Sequence, residues 1–361
     1  MKKLVFTVTN DLVYDQRMIR ICTTLQQAGY EVLLVGRKRR HSVDLITQPF
    51  RQKRLFCFFD KGKAFYIEYN FRLLFFLLFQ RFHLVCAIDL DTILPCYLAS
   101  VLKGKKRVYE AHELFTEMKE VVIRPKVYAV WKKIEAFCVP KFKWGYTVNE
   151  PIQNILLQQY GVQYEVIRNM PYRQPLENIT KEPFILYQGA VNEGRSFETL
   201  IPAFQWIEKE LWIYGDGNFY EQAVSLVKQH RLKDKVKFKG AVLPSALKQI
   251  TPKALLGITL FENKGLSNYY SLANRFFDYI QAGVPQLCVN YPVYQQINQQ
   301  FEVAVLIDDL SPQSIAKAIN TILNDPAAWQ QLHQNCLKAR EVFNWQQEEK
   351  KLLQFYKAIL Q

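Results

Sequence analysis

Short apolar runs rich in Val, Ile, Phe and Tyr alternate with stretches of helical periodicity almost from one end of the chain to the other. That alternation is the βαβ signature of a parallel sheet with helices on both faces. In the first half the predicted strands are "KLVFTV", "YEVLLVG", "HLVCAID", "RVYEAH", "GYTVN" and "YEVIRN". Between the first two, Met18, Ile21, Cys22 and Leu25 recur at helical spacing, and Gly29 ends the helix as a left-handed cap. A second series follows the polar, Pro-bearing "NMPYRQPLENITKEP": "FILYQGA", "LWIYGDG", "VKFKGA", "LLGITLF", "PQLCV" and "VAVLID". A linker is therefore expected near residues 170–183.

Two such series predict an α/β protein of two Rossmann-like domains, their parallel sheets facing across a cleft, with ligands bound outside the carboxyl ends of the strands. A length of 361 residues agrees, since it exceeds what one core usually serves. The expected domains are residues 1–170, residues 171–340, and a C-terminal helix over 341–361. Leu352, Leu353, Tyr356, Ile359 and Leu360 share one side of that helix, which is expected to pack back on the first domain.

Charge changes this picture more than composition does. Residues 1–150 carry 26 Lys and Arg against 14 Asp and Glu, whereas residues 151–361 carry 21 against 19. Within the basic half, the segment from "GRKRRHSVDL" to "FRLLFFLLFQRF" interleaves cations with Phe, Tyr and Leu, a composition suited to an anionic lipid surface. The competing account is a buried helix over residues 71–79 flanked by solvated charges. Nucleic acid is not expected as a partner, because no helix-turn-helix, zinc-finger or RNA-recognition signature accompanies the charge. The opening "MKKLVFTVTND" reads as a first strand and not as a signal peptide, and no apolar run approaches the roughly 18 residues that span a bilayer. Seven scattered cysteines without close pairs suit a reducing cytosol.

Three turns carry candidate chemistry. In "YQGAVNEGRSFETL" a strand ends at Gly189, where backbone can approach a ligand, and Arg195 precedes a helix whose free N–H groups favour phosphate; a plain surface arginine is the alternative. Gly215 and Gly217 in "WIYGDG" and Gly240 in "VKFKGA" suit either ligand contact or tight turns. In "SLANRFFDYIQAGVP", the N–H groups near Leu272 to Asn274 together with Arg275 suit a diphosphate, and Asp278 suits ribose hydroxyls. An Arg/Asp pair three apart is also the spacing of a surface salt bridge.

The ordered series "YEAHELF", "VIRNMP", "YQGAVNEGRSFETLI", "LWIYGDG", "VKFKGAV", "LANRFFDYIQAGVP" and "FNWQQEEKKLLQFY" resembles the retaining glycosyltransferases of the GT-B fold, group 1, also called glycosyltransferase family 4. The resemblance implies transfer of a sugar from a nucleotide-diphosphate sugar to a hydroxyl of a glycan or lipid-linked acceptor, with retention, in cell-envelope polysaccharide synthesis. Arg195 and Arg275 would neutralise the departing diphosphate, His112 would contact the transferred sugar, and Asp278 would stand for the usual Glu on the ribose. Gly189, Gly215, Gly217, Gly240 and Asn274 would complete the nucleotide site. No metal and no tightly bound cofactor are expected, and the enzyme is expected in the cytoplasm, on the inner face of an anionic membrane. In this frame Asp89 and Asp91 of "AIDLD" read as strand-end and helix-cap chemistry.

The chain departs from the family at Ala190 and Ser196, where arginine and glycine are usual, at Tyr270, where an earlier glutamate stands, and in "TNDLVYDQR" after the first strand. These changes bear on the donor sugar more than on the reaction. A GT-B nucleotide-sugar epimerase or hydrolase and a non-catalytic glycan-binding scaffold stay open beside the transferase.

Overall fold

Seven parallel strands make the first sheet: β1 (Lys3–Thr7), β2 (Glu31–Lys38), β3 (Arg51–Phe56), β4 (Leu84–Ile88), β5 (Lys106–Ala111), β6 (Trp144–Thr147) and β7 (Glu165–Val166). They lie in the order β3-β2-β1-β4-β5-β6-β7. Six more make a second parallel sheet: β8 (Phe184–Gln188), β9 (Glu210–Tyr214), β10 (Val236–Gly240), β11 (Leu256–Thr259), β12 (Gln286–Val289) and β13 (Ala304–Ile307), in the order β10-β9-β8-β11-β12-β13. The computed structural model describes residues 1–173, 175 and 179–361, so residues 174 and 176–178 of the expected linker lie outside the described residues. Contacts divide the chain into a first unit, Met1–Asn169 with Glu348–Gln361, and a second, Met170–Gln347.

Each apolar run became a strand because a parallel sheet covered on both faces buries every side chain; β4 and β8 are buried at every position. Helix α1 (Gln16–Gln27) starts where the Asp15 carboxylate accepts the Met18 N–H, and it buries Met18, Ile21, Cys22 and Leu25. The C-terminal helix Trp345–Leu360 buries Leu352, Tyr356, Ile359 and Leu360, with the Tyr356 hydroxyl 3.3 Å from that of Tyr146 in the first sheet.

Two elements differ from expectation. β3, "RQKRLF", has no apolar run, yet it pairs in parallel with β2 from Leu33↔Arg51 to Lys38↔Phe56. It lies at the sheet edge, where backbone pairing suffices and charged side chains stay in solvent. Helix α2 (Gly62–Phe79) is longer than the expected 71–79 and is not fully buried. Phe65, Tyr69, Leu73 and Leu77 face inward at spacing four, while Ile67, Phe71, Phe75 and Phe79 form a parallel row in solvent.

Both sheets reverse strand order beside their first strand, between β1 and β4 and between β8 and β11. That reversal opens a crevice at the carboxyl edge, which is where α/β sheets take ligands.

Candidate functional site

In the second unit the carboxyl end of β8 is Gln188, a buried amide in an otherwise apolar strand. Its Nε2 donates to Asp278 Oδ2 at 3.1 Å, its Oε1 accepts from the Thr251 hydroxyl at 2.7 Å, and its backbone carbonyl accepts from Arg275 at 3.1 Å. One residue thus fixes both members of the Arg/Asp pair on the helix Asn274–Gln281. Arg275 is 7% exposed, which removes the surface salt bridge as its explanation. Its guanidinium lies 4.4 Å from the Tyr187 ring centroid and 4.9 Å from that of Phe261, and its Nε is buried without a hydrogen-bond partner among the described residues.

Arg195 lies 4.6 Å over the same Phe261 ring. Two guanidinium groups therefore share one aromatic platform just past β11, beside the strand reversal. Cation–π contact uses the faces of both guanidiniums and orients both charges, and an oxygen ligand is met by N–H groups at their edges. Ser196, where the resemblance implies a glycine, has φ 58, and its buried hydroxyl has no hydrogen-bond partner among the described residues. The position takes left-handed backbone, which a glycine adopts without strain.

The glycines divide by duty. Gly189 has φ 119, and a Cβ there would stand 3.2 Å from Arg275 Nη1, so the missing side chain keeps that guanidinium reachable. At Gly215 a Cβ would fall 1.8 Å from the Gly189 carbonyl oxygen, and at Gly217 2.3 Å from Asn192 Oδ1. The turns after β8 and β9 are laced together instead by Gly189 N–H to Tyr214, Val191 N–H to Asp216 and Phe219 N–H to Val191. Gly240 accepts the Gly215 N–H through its carbonyl at 2.9 Å. Asn274 is exposed at the helix start, at the end of the Leu272 to Asn274 stretch in which the first N–H groups were expected.

His112 belongs to the first unit, just past β5, and its side chain is 24% exposed. Asp89 Oδ1 accepts its backbone N–H at 2.9 Å, Asp89 Oδ2 lies 3.3 Å from Nδ1, and Glu110 Oε1 lies 2.8 Å from Nε2. Burial opposes charge on the ring, but Asp89 and Glu110 more than offset it and hold its pKa well above the ordinary value. With both nitrogens facing carboxylates, His112 offers positive charge and no free lone pair; it is not arranged as a general base. Glu110 also pairs with buried Arg17; burial would raise its pKa, yet Arg17 and His112 bring it down to about 2.

This corrects the capping role expected for Asp89 and Asp91. Asp89 makes no side-chain cap bond to the turn it precedes, and its backbone at φ 55 aims the carboxylate at His112. Asp91 is buried at the strand reversal and accepts the Thr9 hydroxyl at 2.6 Å; burial, then Asp89, push its pKa up to about 7. Residues missed in the sequence are Gln188, Thr251, Tyr187 and Phe261. The one readable signal was a polar Gln closing the apolar run "FILYQ". Among the described residues no group of three or more His, Cys, Asp or Glu is placed to hold a metal ion, and all seven cysteines are buried and unpaired.

Comparison with known proteins follows this division of the chain. A family model for "Glycosyl transferases group 1" matches residues 170–340, and one for "Glycosyltransferase Family 4" matches residues 16–170. No curated protein sequence matches. Among solved structures, sucrose-phosphate synthase of Thermosynechococcus elongatus is 16% identical over 100% of this chain and 99% of its own, with a TM-score of 0.81. HepE of Anabaena in complex with UDP-glucose is 12% identical over 99% and 100%, with a TM-score of 0.76. A TarM variant of S. aureus, solved with fondaparinux, alpha-GlcNAc-glycerol and UDP, is 10% identical over 99% of each chain, with a TM-score of 0.73. At these identities the likeness speaks for the fold, which is GT-B. The two family models together span residues 16–340 in the order of the two units, and both describe glycosyltransferases.

Proposed function

We propose that the enzyme moves a sugar from a nucleotide-diphosphate sugar to a hydroxyl of a glycan or lipid-linked acceptor, with retention of configuration, in cell-envelope polysaccharide synthesis. The observation that carries this reading is the pair of guanidiniums on Phe261 beside the unobstructed Gly189. Fixed positive charge in a poorly hydrated crevice stabilises the charge that develops on a departing diphosphate. Asp278, oriented by Gln188, accepts hydrogen bonds from ribose hydroxyls. The leaving phosphate oxygen takes the acceptor's proton as the hydroxyl attacks from the same face, so no side-chain base is needed. Because Arg195 and Arg275 supply the charge, no divalent cation is required.

HepE is solved with UDP-glucose and TarM with UDP, so a uridine-diphosphate sugar is the first donor to test. No helix among the described residues is long and apolar enough to cross a membrane. The solvent-facing row Ile67, Phe71, Phe75 and Phe79 on the basic first unit supports reversible docking at the cytoplasmic face of an anionic membrane.

The test is incubation of the full chain with labelled UDP-sugars and a membrane lipid extract, with the anomeric configuration of the product read by NMR. A glycosylated product of the donor's own anomeric configuration supports the proposal. Inversion overturns retention, and consumption of donor without any acceptor product makes the enzyme a hydrolase or epimerase.

A further inference from the structure

The edge of the first sheet opposite His112 carries a second concentration of charge. At the starts of β5 and β6, a cavity of about 260 Å³ is lined by Lys105, Lys106, Arg107, Lys141, Lys143 and Trp144, with Gly104 at its rim. No carboxylate lines it, and none of the five cations makes an ion pair among the described residues. Three of them are held in place. Arg107 donates from Nε to the Lys141 carbonyl at 2.8 Å and from Nη1 to Ser100 Oγ at 3.2 Å, and Lys141 Nζ donates to the Phe137 carbonyl at 2.7 Å. Lys106 Nζ donates to the Ile359 carbonyl, and Lys106 and Lys143 each stand 5.8 Å from the Trp144 ring centroid.

Five like charges converging on one cavity repel each other unless an anion joins them. β5 begins at Lys106 and ends at Ala111 beside His112, so an anion bound here is not the donor diphosphate. Beside the cavity, α3 (Ile93–Leu102) ends in Val101 and Leu102, with Leu102 70% exposed, and the exposed Phe137 ring lies 3.9 Å from Lys141 Nζ. Cations beside solvent-facing apolar side chains match a phosphate that arrives attached to an acyl chain.

We propose that the Lys105–Trp144 pocket binds the phosphate of an anionic lipid headgroup, a site separate from the donor crevice. The membrane reading above supplies only the source of the phosphate; the pocket's affinity for anions stands apart from it. The experiment compares the wild-type full chain with the Lys105→Glu/Lys143→Glu variant, both positions being exposed. Co-sedimentation uses vesicles of phosphatidic acid in phosphatidylcholine and of phosphatidylcholine alone, and calorimetry uses inorganic phosphate. The expected result is a loss of tenfold or more in binding to phosphatidic-acid vesicles, with sugar transfer to a soluble acceptor unchanged. Wild-type-like vesicle binding by the variant overturns the site. Phosphate binding that depends on the pocket, without vesicle binding, overturns the lipid source. A chain that binds vesicles through the pocket but transfers no sugar keeps this site and removes the transferase reading instead.

Discussion

Asp89 holds His112 at two points, accepting its backbone N–H through one carboxylate oxygen and facing Nδ1 at 3.3 Å with the other. The raised pKa of His112 contributes stability that is fully present below the ordinary value near pH 6.5 and is lost as pH rises through the folded value. Asp89→Asn keeps the shape and removes the charge. The His112 titration, followed by proton NMR, is expected to move to lower pH, and sugar transfer is expected to fall about tenfold or more as the cationic ring is lost. An unmoved titration would show that Glu110 alone sets the charge of His112.

Asp91 has the opposite sign. A carboxyl whose folded pKa is raised to about 7 costs stability as pH climbs from its ordinary value near 4 to about 7, and the cost is constant above that. Asp91→Asn, which retains an acceptor for the Thr9 hydroxyl, is expected to flatten the fall in Tm across this window. Parallel Tm curves for the two proteins would place the ionised form in the native state.

Two glycines separate space from backbone conformation. A Cβ at Gly215 collides with the Gly189 carbonyl at 1.8 Å, whereas one at Gly240 meets nothing within 4 Å and suffers only its φ of +74. Gly215→Ala is therefore expected to cost about 3 kcal/mol or more and to disturb nucleotide binding through the turn at Gly189. Gly240→Ala is expected to cost about 1–2 kcal/mol with binding intact. Urea unfolding and nucleotide titration check both; equal losses would contradict the packing of the two turns.

The fold was legible because each buried parallel strand had to be written as an apolar run, from "KLVFT" to "AVLI". β3 was not, since an edge strand needs only backbone pairing and its "RQKRLF" carries the marks of a solvated segment. Helix α2 hid its orientation for another reason: Phe and Leu occupy both faces, so helical periodicity could not say which row turns inward. At the candidate site, Arg275 and Asp278 could be singled out by local spacing. Their shared anchor, Gln188, lies about ninety positions away, and Asp89 meets His112 across 23 positions, so neither link has a local signature.

Arg275 and Asp278 should fail in different kinetic terms. Arg275→Ala removes a buried charge from the proposed diphosphate position and is expected to lower kcat by about 10²-fold or more. Arg275→Lys is expected to recover little, because an ammonium cannot both reach the Gln188 carbonyl and present a flat face to Tyr187 and Phe261. Asp278→Ala is expected instead to weaken binding of free UDP by about tenfold, as two ribose hydroxyls lose their acceptor. Turnover within threefold of wild type in Arg275→Ala, or an unchanged UDP dissociation constant in Asp278→Ala, would take that residue out of the site.

The outer row of α2 tests the membrane reading most directly. Phe71 and Phe75 are 60% and 62% exposed, one and two turns along a row that Ile67 begins and Phe79 ends, while Leu73 on the inner row is fully buried. Inserting one phenyl ring into an acyl layer contributes about 1.5–3 kcal/mol, so Phe71→Glu or Phe75→Glu is expected to weaken binding to phosphatidylglycerol vesicles by about 10-fold or more. Each variant should keep the wild-type Tm, because neither ring packs in the core. Leu73→Glu provides the contrast, since it buries a charge and is expected to unfold the first unit. Docking through cations and rings together must also weaken with salt, as the headgroup attraction is screened while ring insertion is not. Binding confined to anionic vesicles, reduced by salt and by either Phe change, supports docking on this face, and a chain that sediments with no vesicle at low salt rules it out.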